Sequence, residues 1–166
     1  MKREEEAKRY QTFEDLDVYQ VAREFRRKMY QAARRLPNFE KFALADQIRR
    51  AAVSLTNNVA EGHGRFHFLD QIKFMLQARG SLEELLDDLN VCEDEKYFPA
   101  DEIASLRAEA WRVHQLINGY IRFLRTRLCG GSSRAHEIPM DEESIEDPGY
   151  EGDIRCNASS LQRFNE

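Results

Sequence analysis

The chain reads as an all-α protein: an up-down-up-down four-helix bundle with an acidic C-terminal tail that is predicted to be disordered. Three observations predict this. Apolar residues recur at three- and four-residue spacing through four segments of about 20–28 residues each. The 166 residues include only 4 Pro and 8 Gly, and four of the Gly fall after residue 129, too few turn-formers for a many-stranded β sandwich or barrel. The breaks between the periodic segments are short, which suits antiparallel neighbours.

The elements follow in order. Residues 1–12 are mostly charged and are expected to be a flexible lead-in. From Phe13, apolar residues fall at helical spacing through Val18, Ala22, Phe25, Met29, Ala33 and Leu36, until Pro37 stops the first helix. Asn38 is a good N-cap for a second helix with Leu44, Ile48, Ala52, Leu55 and Val59 on one face, ended by Gly62 and Gly64. A third helix is expected from about Phe66 to Cys92. Its apolar residues, Leu69, Leu76 and Leu86 among them, cover more than half its circumference. A bundle helix needs only a stripe, so the surplus points to a second buried contact, most simply another copy of the chain; a tightly wrapped monomer core is the alternative. After Tyr97-Phe98-Pro99, a fourth helix runs through Ile103, Leu106, Ala110, Val113, Ile117, Tyr120 and Leu124 to Gly130-Gly131. The bundle thus spans 13–129. The tail, 130–166, has no helical period and is expected to be disordered or ordered only on a partner.

The net charge of −5 hides an asymmetry. Residues 1–129 balance at +1 and residues 130–166 at −6. From Arg23 to Arg50 bases dominate; from Glu83 to Glu102 acids do. A basic face attracts polyanions whatever the total charge, although an ordinary mixed solvated surface has the same composition. No apolar run approaches the length of a membrane span, and Met-Lys-Arg-Glu-Glu-Glu does not read as a signal peptide. Three scattered cysteines, Cys92, Cys129 and Cys156, argue for a reducing, cytoplasmic location.

Little points to catalysis, and no catalytic residue or cofactor is assigned. A di-iron bundle needs Glu-x-x-His pairs, and the chain has none. His63 and His67 have metal-ligand spacing on a helix, with Asp70 the best third ligand, but Gly62 and Gly64 interrupt the helix, so no metal site is assigned. Ser54 and Ser81 lack a His-acid set, and no phosphate-binding Gly loop is present. Cys92 sits among acids, which raise a thiol pKa rather than activate it, and Asp87-Asp88 reads as a solvated pair.

A polar stripe lies beside the second helix's apolar face: Gln47, Ser54, Asn58 and Glu61, continued by Arg65. On the third helix Arg79 points into the apolar arc, followed by Gly80 and Ser81. A buried arginine needs a partner, Glu61 first and Glu83 second, and Gly80 would admit a close backbone. A structural polar network (Gln47, Ser54, Asn58, Glu61, Arg79, Ser81) explains these residues; a ligand site is the sharper alternative.

The same residues carry a resemblance. The run Gln47-Ile-Arg-Arg-Ala-Ala-Val-Ser-Leu-Thr-Asn-Asn-Val-Ala-Glu-Gly-His-Gly-Arg65 resembles the motif Q-I-R-R-A-A-x-S-I-x-x-N-I-A-E-G-x-G-R of the four helix bundle protein family, known from proteins encoded by intervening sequences in 23S ribosomal RNA genes. Phe13–Ala22 is similar to that family's opening helix, and Phe74–Leu85 to its F-L-x-x-A-x-G-S-L-x-E-L. The resemblance covers about 13–128. It implies a bacterial four-helix bundle that assembles as a homopentamer. It also implies kinship with accessory proteins of diversity-generating retroelements, which bind a reverse transcriptase and nucleic acid. The acidic tail departs from that compact pattern.

The function expected is therefore a non-enzymatic, oligomeric bundle that binds RNA, DNA or a nucleoprotein through Arg26, Arg27, Arg34, Arg35, Arg49, Arg50 and Arg65. Phosphate contacts of this kind are salt-sensitive and weakly sequence-specific. Few aromatic residues interleave with these cations, so base stacking is not expected on that face. The alternative is a protein-interaction scaffold without nucleic-acid binding.

Overall fold

The computed structural model describes residues 12–130, with side chains to Leu128. Most of the lead-in and the acidic tail lie outside the described residues. A 3₁₀ turn at Phe13–Asp15 leads into α1 (Asp17–Arg35); a second, Asn38–Glu40, precedes α2 (Leu44–His63); α3 is Phe68–Asp94 and α4 is Ala100–Gly130. Each helix packs on two neighbours: α1 on α2 and α4, and α3 on the same two. This is the up-down-up-down bundle the periodicity predicts. No strand occurs among the described residues.

The core is the set of stripes read from the sequence. Phe25 and Met29 of α1, Ile48 and Leu55 of α2, Leu82 and Leu85 of α3, and Ile117 and Leu124 of α4 are all at most 1% exposed. Each such side chain, moved from water, contributes about 1.5–3 kcal/mol, which is the term that closes the bundle.

The helix ends differ from expectation in instructive ways. Pro37 does stop α1: Leu36, before it, is forced extended at φ −63°, ψ 151°. Asn38, however, does not cap α2. It opens the 3₁₀ turn, and Glu40 supplies the carboxylate oxygen that accepts from the Leu44 amide at 3.2 Å. Only Gly64 ends α2; Gly62 lies inside the helix and is buried. The start of α3 moves from Phe66 to Phe68 and its end from Cys92 to Asp94.

That last end carries no glycine signal. Lys96 takes the left-handed conformation at φ 56°. The Tyr97 amide donates to the Cys92 carbonyl at 2.9 Å and the Lys96 amide to Glu93 at 3.0 Å, the paired bonds of a Schellman cap. A side chain pays a steric cost there that glycine does not. Lys96→Gly is expected to raise stability by about 0.5–1 kcal/mol, read as a higher denaturant midpoint. An unchanged or lower midpoint overturns this reading of the cap.

Candidate functional site

The seven arginines singled out in the sequence do not form one face. At about 100° per residue, Arg26, Arg27 and Arg34 share one arc of α1, on the side of α2 and solvent, and no acid falls within that arc. Arg26 donates from Nη1 to Thr56 Oγ1 of α2 at 2.8 Å, which fixes the arc's orientation. Arg23 falls in the same arc and is exposed, at a spacing from Arg26 and Arg27 that the sequence already shows.

On α2, Arg49 lies on the same side as Thr56 and Arg50 about 100° further round. With Asp46, Val53, Ser54, Asn57 and Asn58 of the same helix and Tyr30 of α1 they line an open groove of about 540 Å³ on the outer face of α2. Two guanidinium groups share one carboxylate here. Arg50 pairs with Asp46, Arg49 lies 3.6 Å from its other oxygen, and Arg49 also donates to the Lys41 carbonyl at 3.1 Å. Arg27 pairs with Glu24 at 3.0 Å. These exposed pairs are weak, so the cations remain free to exchange partners.

Arg35 and Arg65 stand apart. Arg35 lies about 180° round α1 from Arg26. It pairs with Glu102 of α4, with Nη2 to Oε2 at 3.0 Å, and its guanidinium sits 5.0 Å from the Phe98 ring centre. Arg65, after the C-terminus of α2, pairs with Glu61 and lies 4.6 Å over the Phe74 ring.

The polar stripe divides likewise. Ser54 is the hub of the α2–α3 seam. Ser81 donates to it at 2.8 Å, and Asn58 Nδ2 donates to its carbonyl at 2.9 Å and its hydroxyl at 3.2 Å. Gln47 reaches α3 lower on the same seam. Two members do not belong. Glu61 is turned outward to Arg65, and Arg79 is half-buried on the α3–α4 seam, where it donates to Asn118 Oδ1 at 3.4 Å. Neither Glu61 nor Glu83 is its partner. The cause is that the apolar arc of α3 is two arcs. One is core, and the other, with Leu69 57% and Leu76 37% exposed, faces solvent; Arg79 sits between them. Gly80 likewise admits no close backbone: nothing lies within 4 Å of where its Cβ would be.

Asp88 is the residue the sequence misplaces. Asp87 is exposed as expected, but Asp88 is 1% exposed. Gln47 Nε2 donates to its Oδ1 at 2.8 Å, and Oδ2 has no hydrogen-bond partner. Burial, and then the charges of Asp87 and Glu84, push its carboxyl up to about 6, against the lowering effect of Gln47. One turn on, burial with Asp88 and Glu40 pushes the Cys92 thiol up to about 11, so it is a poor nucleophile at neutral pH. Among the described residues no three His, Cys, Asp or Glu side chains gather as a metal site, and Asp70 lies 3.8 Å from Lys73. No helix among them is long and apolar enough to cross a membrane.

Comparison with known proteins follows this geometry. No curated protein matches the chain. A crystal structure of a protein of unknown function from the S23 ribosomal protein family, from Bacteroides thetaiotaomicron, superposes with a TM-score of 0.59. The two are 21% identical, and the match covers 63% of this chain and 95% of that one, a likeness of fold. The sequence pattern of 23S rRNA-intervening sequence proteins matches residues 14–119, which takes in α1, α2, α3 and most of α4. With both the bundle and its motif-bearing helices accounted for, the chain belongs to the 23S rRNA-intervening sequence protein family.

Proposed function

We propose that this protein is a non-enzymatic, oligomeric bundle that binds RNA through the outer groove of α2 and the adjoining basic arc of α1. One observation carries the reading. A basic arc of α1 bearing Arg23, Arg26, Arg27 and Arg34, flanked by Glu24, lies on the side of α2, where Arg49 and Arg50 share the single carboxylate of Asp46. Phosphates outcompete such weak surface pairs because each contact also releases condensed counterions. The exposed, uncharged Asn57 adds a hydrogen-bonding group for sugar and phosphate oxygens. Arg35 and Arg65, turned to other sides, are not part of this groove. DNA, or a nucleoprotein such as a reverse transcriptase complex, presents the same phosphate chemistry and is an alternative ligand.

The exposed Leu69 and Leu76 of α3 support self-association, with a homopentamer the form implied by family resemblance. They equally support the second reading, a scaffold in which this face engages a protein and nucleic acid plays no part.

Binding of duplex RNA is expected to weaken steeply with salt. Arg49→Glu with Arg50→Glu should lower affinity about tenfold and reduce the log–log salt slope by roughly two contacts' worth. Removing residues 131–166 takes away a net −6 and should tighten binding several-fold at low salt. Fluorescence anisotropy and light-scattering mass on the full chain, the double variant and the chain ending at Gly130 decide the matter. Oligomers that bind no RNA in any form establish the scaffold reading instead.

A further inference from the structure

The connector between α1 and α2 displays two aromatic rings to water. Phe39 is 74% and Phe42 86% exposed, although each is large and apolar. This display is built. Glu40, between them, is clamped inward: its Oε1 accepts from the Tyr97 hydroxyl at 2.9 Å and its Oε2 from the Leu44 amide at 3.2 Å. The Arg49 guanidinium holds the Lys41 carbonyl, and the backbone closes in three-residue turns at Glu40→Pro37, Lys41→Asn38 and Ala43→Glu40. These bonds hold the backbone on either side of both rings, and the Phe39 ring stands edge-on to Tyr97 with centres 6.4 Å apart.

The surroundings say what these rings would meet. Lys41 Nζ lies 5.2 Å over the Phe42 ring, Arg49 is bonded to the connector itself, and Arg34 sits in the last turn of α1 just before it. The local carboxylate, Glu40, is consumed by its two internal bonds. Exposed rings on a connector that carries Lys41 and is bonded to Arg49, a residue of the groove, match the chemistry of an unpaired nucleotide: a π-face to stack and a phosphate to neutralise.

We infer that Phe39 and Phe42 form a stacking platform for unpaired bases on the connector beside the Arg49 end of this groove, so that the protein prefers single-stranded or looped RNA to duplex. This rests on the groove binding nucleic acid. It was not legible in the sequence because the rings lie on the connector, outside the helical face that carries the arginines.

The test uses the full chain with two labelled probes, a short oligouridylate and an RNA duplex. Phe39→Ala with Phe42→Ala should weaken oligouridylate binding about tenfold and leave duplex binding within twofold; tryptophan at both positions should restore the loss. Unchanged oligouridylate affinity, or equal losses on both probes, overturns the inference. So does binding to phosphatidylcholine–phosphatidylglycerol vesicles that depends on the two rings, which would assign them to a lipid surface. A fall in light-scattering mass in the alanine variant overturns it too, in favour of a contact between copies. If the native chain binds neither probe, the groove reading fails first; if it binds duplex in a salt-dependent way but stacks no oligouridylate, the platform alone fails.

Discussion

Gly62→Leu is expected to lower the stability of the bundle by about 3 kcal/mol or more, read as a lower urea midpoint. Gly62 sits in the last turn of α2, buried against α3. A Cβ there would come within 3.0 Å of Phe74 Cβ and of Met75 Cε, and 3.4 Å from the Gln71 carbonyl. The methionine methyl can swing aside, although it is buried; Phe74 Cβ is fixed to its backbone and cannot. A leucine would therefore have to push α3 away, along the interface that closes the core. Even Gly62→Ala, which gains about 1 kcal/mol of helix propensity, should be neutral or worse. Gly80 provides the contrast. It is also mid-helix, but nothing lies within 4 Å of its Cβ position, so Gly80→Ala should be neutral to stabilising by up to about 1 kcal/mol in the isolated chain. Urea midpoints for the three variants test this. Equal effects at both glycines would defeat the close-packing argument.

Asp88→Asn is expected to stabilise the protein at pH 8 by about 2 kcal/mol and to make little difference at pH 4. The sign follows from the direction of the shift. The folded carboxyl titrates near 6, above the ordinary 3.8, because burial and neighbouring Asp87 and Glu84 disfavour its charge. Below about pH 4 the group is protonated whether folded or not, and the full contribution is present. Between 4 and 6 the folded state holds a proton that the unfolded state has lost, so stability falls as pH rises. Above 6 an ionised carboxylate with an unpartnered Oδ2 stays buried, and the penalty is constant. Asparagine removes the charge and keeps an oxygen for Gln47 Nε2, 2.8 Å away in the native seam. Many other carboxylates titrate in this range, so the quantity to measure is the difference in melting temperature between variant and native protein across pH. A flat difference, or a native protein more stable than Asp88→Asn at pH 8, would sink the argument.

The four helices, their order and nearly all of the core were legible in the sequence, because an amphipathic stripe is a property of spacing along one helix. Val18, Ala22, Phe25 and Met29, or Ile103, Leu106, Ala110 and Val113, could be assigned without knowing what they touch. Pro37 was legible for the same reason: its effect is on its own backbone and its neighbour's. The Ser54 and Asn58 stripe was visible too, since it borders such a face.

Features that depend on a second helix were set by packing. Asp88 and Asp87 are indistinguishable as a pair in sequence; the position of α2 buries one and leaves the other in water. Arg79 seemed to lie in one broad apolar arc, until the packing of α2 and α4 split that arc into core and solvent-facing halves and gave it Asn118. Gly62 read as a helix stop, yet α3 makes it a contact. Arg35 shares charge and helix with Arg26, but α4 claims one and α2 the other. Spacing fixes which residues share a face, whereas burial, partner and charge state are set by what packs against that face, and that information is not local in the chain.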